Sequence, residues 1–100
     1  MDWLKDQITI WCKKHNYSDE YRDYWLLNTH CEVKTCGIIG TAPHHIKSQG
    51  AGGPDDASNL ITLCSDHHTM DGGAIHRIGW RTFAHRHPEL ADKIYKAMGK

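Results

Sequence analysis

The sequence predicts an α+β fold, in which one small domain carries helices at both ends and two short strands around a loop between them. Apolar residues recur at helical spacing near both ends of the chain. The middle, residues 31–64, breaks instead into short apolar pieces separated by turn residues. Four cysteines and nine histidines in 100 residues indicate a structural zinc, because so small a domain has a thin core.

Residues 1–30 are predicted to form a helical extension of two helices. The apolar residues of the first, residues 2–14, are Trp3, Leu4, Ile8, Trp11 and Cys12. Their spacing gives one apolar face, on which Cys12 is expected to be a buried thiol. Ser18 precedes Asp19 and Glu20, which is typical of an N-cap and an acidic first turn, and opens a second helix to about Asn28.

Residues 31–76 are predicted to form the core that carries the chemistry. Short apolar pieces at 37–40, 45–46 and 60–63 favour two short strands around a loop. The loop, residues 48–56, holds three glycines and a proline, which disfavour a regular helix or strand there. A helix is expected to start near Cys64 and to end by Gly72 and Gly73.

Residues 77–100 are predicted to form the C-terminal helices. The apolar residues at helical spacing are Trp80, Phe83, Ala84, Leu90, Ala91, Ile94 and Met98. Pro88 interrupts them, which predicts two helices or one helix broken at His87 and Pro88. No internal repeat or linker divides the sequence, so residues 1–100 are expected to form a single domain.

Two spaced pairs of candidate ligands predict the zinc site. Four residues separate Cys31 from Cys36, and two separate Cys64 from His67. Three thiolates and one imidazole suit a tetrahedral zinc ion. Reduced core cysteines are the alternative, but two such pairs in a small chain favour zinc over simple packing.

Charge and hydropathy indicate the compartment and the partner. No apolar run is long enough to span a bilayer, and the first residues lack the pattern of a signal peptide, so a cytoplasmic location without a membrane partner is expected. The formal net charge is zero. Between Gly72 and His87, however, there is no acidic residue, while Arg77, Arg81 and Arg86 form a modest basic patch.

Three motifs carry a resemblance to a known family. They are Pro43-His44-His45-Ile46, then Gly52-Gly53-Pro54-Asp55-Asp56-Ala57-Ser58-Asn59-Leu60, then Leu63-Cys64-Ser65-Asp66-His67-His68. Over residues 31–76 the sequence resembles the HNH (His-Asn-His) endonucleases of the small phage and bacterial type. The resemblance implies a ββα-metal, treble-clef-like core beside the structural zinc, and a DNA endonuclease activity that depends on a divalent metal.

The resemblance also implies the roles of the site residues. His45 is expected to be the general base, since imidazole accepts protons near neutral pH. His44 and His68 are expected to bind the catalytic metal, with His76 as the candidate third ligand because glycine stands at the usual spacing. Asn59 is expected either to hold the His45 ring or to close the loop through backbone hydrogen bonds.

The resemblance leaves His67 and His68 as rivals for the structural zinc, because many members carry a second cysteine pair here. We assign His67 to zinc, since its gap from Cys64 matches that pair. The catalytic metal stays open among Mg²⁺, Mn²⁺, Zn²⁺ and Ni²⁺. The predicted DNA contacts are Lys47, Arg77, Arg81 and Arg86. For the three arginines, a solvated helix face is the alternative of equal weight.

The expected partner is double-stranded DNA, cut by a monomer or weak dimer that nicks one strand per site. Two alternatives remain at this point. One is a zinc-stabilised DNA-binding module without turnover, and the other is a small zinc hydrolase acting on another substrate. The presence of His45 favours the endonuclease over the binding module, because a binding module has no need of a free imidazole beside its metal ligands.

Overall fold

The computed structural model describes residues 2–99, and of Asp2 it describes the backbone alone. Helices flank a small two-stranded sheet along the chain, as the α+β prediction requires. The elements are α1 (Asp2–Lys14), α2 (Asp19–Leu27), β1 (His44–His45), β2 (Leu60–Ile61), a short helix (Asp66–Met70), α3 (Ile75–Arg86) and α4 (Pro88–Ala97). None of the helices described is both long enough and apolar enough to cross a membrane.

The N-terminal helices form as predicted, but α1 buries less than its pattern indicates. Ser18 caps α2 by accepting a hydrogen bond from the Tyr21 backbone N–H at 3.1 Å. In α1, Ile8 and Cys12 are buried, which confirms Cys12 as a buried thiol. Trp3, by contrast, is 69% exposed, so this residue of the predicted apolar face lies outside the core. The cause is that α1 touches the rest of the chain along a narrow strip around Ile8 and Cys12.

The sheet consists of β1 and β2, which pair antiparallel around the connecting loop, residues 47–59. His44 lies opposite Ile61, and His45 lies opposite Leu60. Leu60 belongs to the core beneath α1 and α2, whereas Ile61 belongs to the larger core shared with α3 and α4. Because successive strand residues point to opposite faces, His44 and His45 are directed toward different parts of the molecule.

A turn before the sheet presents the first cysteine pair. The Cys31 N–H donates to the Ile38 carbonyl at 2.7 Å, and the Cys36 N–H donates to the Val33 carbonyl at 2.9 Å. His30 and Ile39 form an isolated antiparallel bridge. The apolar piece at 37–40 therefore makes a hairpin-like turn with a single bridge and not a full strand.

The helices after the sheet differ in detail from their predicted form. The short helix is a π-helix of five residues and ends at Met70, before the glycines expected to stop it. Helix α3 starts at Ile75, so His76 lies in its first turn, and a φ of +81° at Gly79 interrupts it. Pro88 stands at the start of α4, which confirms the prediction of two helices separated at His87.

Candidate functional site

The zinc cluster consists of Cys31, Cys36, Cys64 and His67, whose ligand atoms all lie within 4.8 Å of one another. The Cys36 and Cys64 sulfurs are 3.7 Å apart, and His67 Nδ1 lies 3.2 Å from the Cys64 sulfur and 3.5 Å from the Cys31 sulfur. A tetrahedral zinc with ordinary bond lengths places sulfurs roughly 3.8 Å apart and sulfur and nitrogen roughly 3.5 Å apart. The donor set and its spacing thus fit zinc.

Local structure explains why these four residues meet. Cys31 and Cys36 stand on either side of the turn before the sheet, Cys64 follows β2, and His67 lies in the short helix. Burial raises the pKa of the Cys31 thiol to about 12. Zinc is bound by thiolates, so loading this cluster with metal must release protons.

The histidine trio consists of His44, His68 and His76, and the fold brings its three rings into contact. The ring centroids of His44 and His68 are 3.8 Å apart, and those of His68 and His76 are 4.4 Å apart. Burial, followed by the neighbouring imidazoles of the trio, lowers the pKa of His44 to about 4. Burial and His76 also lower the pKa of His68. At neutral pH these two rings are neutral, the form that binds metals.

Thr41 fixes one nitrogen of His44. Its hydroxyl lies 3.1 Å from the Leu63 carbonyl and 3.1 Å from His44 Nε2. When the hydroxyl donates to this carbonyl, it accepts from His44 Nε2–H, and Nδ1 is then free as a donor atom for a metal. The sequence pattern did not identify Thr41, since threonine next to a turn has no distinctive signal.

The trio is more open than the zinc cluster. Within residues 2–99, the zinc cluster is the one group of three or more His, Cys, Asp or Glu residues whose ligand atoms all fall within 4.8 Å of one another. Three imidazoles are nevertheless a donor set that suits zinc, nickel and similar ions, and His76 is exposed at the edge of the trio.

His45 occupies a separate environment across the sheet. Its Nε2 lies 2.8 Å from Asp55 Oδ1, and the two side chains are 13% and 22% exposed. The ring lies near-parallel to Tyr21, with centroids 5.7 Å apart. The Tyr21 hydroxyl donates to the Pro43 carbonyl at 2.5 Å and holds the start of β1. Asp55 was not among the predicted site residues.

Asn59 closes the connecting loop and does not contact the His45 ring. Its amide nitrogen donates to the carbonyls of Lys47 and Pro54 at 2.8 and 2.9 Å, and its oxygen accepts from the Lys47 N–H at 2.8 Å. Of the two roles expected for Asn59, the geometry corresponds to loop closure. The side chain is buried, so each of these bonds also avoids an unpaired polar atom.

The predicted DNA contacts, Lys47, Arg77, Arg81 and Arg86, are all exposed. Arg77 Nε donates to the Thr69 carbonyl at 3.0 Å, which places this guanidinium beside the end of the short helix. Two clefts of about 560 and 390 Å³ lie beside α1 and α2, and neither is lined by the histidine trio. The trio therefore stands outside both of these clefts.

Comparison with known proteins gives a match to the middle of the chain. The sequence profile of the family described as HNH endonuclease matches residues 30–73. Searches of curated proteins and of solved structures gave no significant match. The matched segment contains the zinc cluster together with His44, His45, Asn59 and His68, whereas His76 lies beyond it. Residues 30–73 are thus similar to the HNH endonuclease family.

Proposed function

We propose that the chain is a metal-dependent endonuclease that hydrolyses phosphodiester bonds in DNA and nicks one strand per site. The observation that carries the proposal is the division of two adjacent histidines between the faces of the sheet, within the segment that matches the HNH family. His44 joins the histidine trio, while His45 remains separate from it. One strand thus supplies a metal ligand and a base side by side.

In this proposal a few side chains have separate roles: one acts as the base, one keeps the connecting loop closed, and three bind the metal. His45 takes a proton from the attacking water, and Asn59 keeps the connecting loop closed so that the strand carrying His45 is fixed. His44, His68 and His76 would hold the catalytic metal. Such an ion, when bound, neutralises charge on the phosphoryl oxygens and assists departure of the 3′ oxygen. The strand order and the short helix support a ββα-metal core.

The exposed basic side chains, Lys47, Arg77, Arg81 and Arg86, would contact DNA phosphates.

An open trio suits a double-stranded substrate better than it suits a small molecule, which argues against a zinc hydrolase with an enclosed pocket. One site faces one strand, so a monomer or weak dimer releases nicked circles before linear DNA. A reducing compartment such as the cytoplasm would keep the zinc thiols unpaired.

The test is cleavage of supercoiled plasmid by the zinc-loaded protein, with Mg²⁺, Mn²⁺, Ni²⁺ or Zn²⁺ added in turn. We expect open circles from the wild type and a loss of roughly 10²- to 10⁴-fold in rate for His45→Ala. His85→Ala, a change of an exposed histidine on α3, is the matched control and should cut normally. His45→Ala cutting as fast as the wild type would refute the assignment of the base.

The plasmid assay, combined with a gel-shift assay, distinguishes the endonuclease from the non-catalytic alternative. A zinc-stabilised DNA-binding module would retain a labelled duplex in a gel-shift assay and leave the plasmid supercoiled with every metal. The wild-type protein and His45→Ala would then behave alike in both assays.

A further inference from the structure

We infer that Asp55 is a positioning residue for His45, and that helix α2 holds Asp55 in place. The inference rests on the proposed function, because it names the residue that sets the tautomer and the orientation of the proposed base. It also gives the helical extension a part in the site, since α2 lies outside the segment that matches the HNH family.

The contact between Asp55 and His45 determines which ring nitrogen is free. Burial raises the pKa of Asp55, but hydrogen bonds from Ser18 and His45 outweigh it and keep that pKa below its ordinary value. The group is therefore a carboxylate at neutral pH and can only accept hydrogen bonds. In the neutral ring, His45 must therefore donate from Nε2, at 2.8 Å, and the proton-free nitrogen is Nδ1. Nδ1 is then the atom that accepts the proton from water.

Ser18 holds the other side of the carboxylate. Its backbone N–H donates to Asp55 Oδ2 at 3.2 Å, and its hydroxyl donates to the Asp55 carbonyl at 3.2 Å. The same hydroxyl oxygen caps α2 by accepting from the Tyr21 N–H. A residue 37 positions away along the chain thus fixes both the side chain and the backbone of Asp55.

The ring of His45 is also restrained on its face. Tyr21 lies near-parallel to it, and Tyr17 stacks on Tyr21 with a centroid distance of 4.1 Å. Both tyrosines belong to the extension or to the turn between its helices. The carboxylate thus restrains the ring at its edge and the tyrosines restrain it from one side. Pre-organisation of this kind is what a general base needs, because a small misplacement lowers the rate steeply.

The inference is tested with Asp55→Asn, which keeps the size of the side chain and removes its charge, and with Asp56→Asn as the matched control. Asp56 caps the turn at residues 57–59 and accepts from Ser58, without contacting His45. We expect Asp55→Asn to lower plasmid cleavage roughly 10- to 100-fold, and Asp56→Asn to cut at the wild-type rate. Asp55→Ala should lower cleavage at least as far.

Two further readouts separate positioning from a merely structural role. Nitrogen NMR of the His45 ring should show the Nε2–H tautomer in the wild type and in Asp56→Asn, and a loss of that preference in both Asp55 variants. In a His45→Ala background, Asp55→Asn should lower the residual cleavage less than twofold. The reason is that Asp55 acts on the reaction only by positioning the His45 ring, which this background lacks. A full 10- to 100-fold loss in that background would overturn the inference.

Failure of the inference and failure of the proposed function give different results. If the wild type cuts, and Asp55→Asn cuts equally with an unchanged tautomer, Asp55 does not position His45. If the wild type leaves the plasmid intact with every metal, the proposed function fails. The tautomer measurement still decides in that case whether Asp55 sets the ring, since it needs no substrate.

Discussion

At position 53 the connecting loop has no room for a side chain. A Cβ there would lie 1.9 Å from the Lys47 carbonyl oxygen and 2.8 Å from Asn59 Nδ2. Those two atoms form one of the hydrogen bonds by which Asn59 closes the loop. Glycine is therefore required by the close approach of two backbone segments and not by an unusual φ.

We predict that Gly53→Ala destabilises the protein by about 2–3 kcal/mol, because the buried Asn59 amide loses its partners when the loop moves. The matched control is Gly50→Ala, where a Cβ would meet nothing within 4 Å. Thermal unfolding of the zinc-loaded variants measures the difference. Equal melting temperatures for the two variants would show that the loop has more freedom than these contacts imply.

Single residues also show where sequence reasoning ends. The pattern identified Asn59 but left its role open, because an amide can bond equally well to a ring or to a backbone. Asp55 went unnoticed within a run of turn residues. Its partners are His45 and Ser18, and the second of these is 37 positions away, so the contact depends on how α2 docks. No local pattern contains that information.

At the scale of elements, the short helix contributes one histidine to each of the two clusters. His67 is directed to the zinc cluster, and His68 stacks on His44 in the histidine trio. Successive residues of a helical turn point in different directions, which is why the two adjacent histidines contact different clusters. A π-helical turn is often found at functional sites, where it changes the direction of side chains.

This division predicts different metal contents for two neighbouring variants. His68→Ala should retain one equivalent of zinc and its fold, and should lose binding of the second divalent ion. His67→Ala should lose the structural zinc and unfold. Elemental analysis after dialysis, with circular dichroism on the same samples, measures both. The assignment of these histidines would have to be exchanged if His68→Ala lost the structural zinc while His67→Ala retained it.

Some elements were predictable and others were not. Ser18 and Pro88 mark helix starts by local chemistry, and both are found where expected. The strands have two residues each, too few for any alternation to appear in the sequence. The exposure of Trp3 depends on how little of α1 the rest of the chain covers, which spacing within the helix does not reveal.

For the whole molecule, the two-stranded sheet separates two cores. The smaller, beneath α1 and α2, includes Ile8, Cys12 and Leu60. The larger, with α3 and α4, includes Cys31 and Cys64 among its buried residues. A sheet of two strands is marginal by itself, so its stability must come from packing on both faces and from a crosslink. The zinc cluster joins the turn before the sheet to the short helix after it.

Removal of zinc should therefore unfold the larger core. Structural zinc contributes on the order of 10–16 kcal/mol in small zinc peptides, against about 5–15 kcal/mol for the net stability of a domain. We predict that Cys36→Ser is unfolded as purified, and that a strong chelator unfolds the wild type. The reason is that the remaining ligands cannot hold the ion while the thiols return to their protonated form.

Cys12→Ala is the control that separates metal binding from packing. Cys12 is 2% exposed, whereas Cys36 is only partly buried, so loss of packing alone would make the Cys12 change the more damaging one. If zinc ligation dominates, the order reverses: Cys12→Ala stays folded with one bound zinc, and Cys36→Ser does not fold. Circular dichroism and zinc analysis on both variants decide the matter. An unchanged melting temperature for Cys36→Ser would mean that the cysteines stabilise the fold as apolar side chains, without a metal.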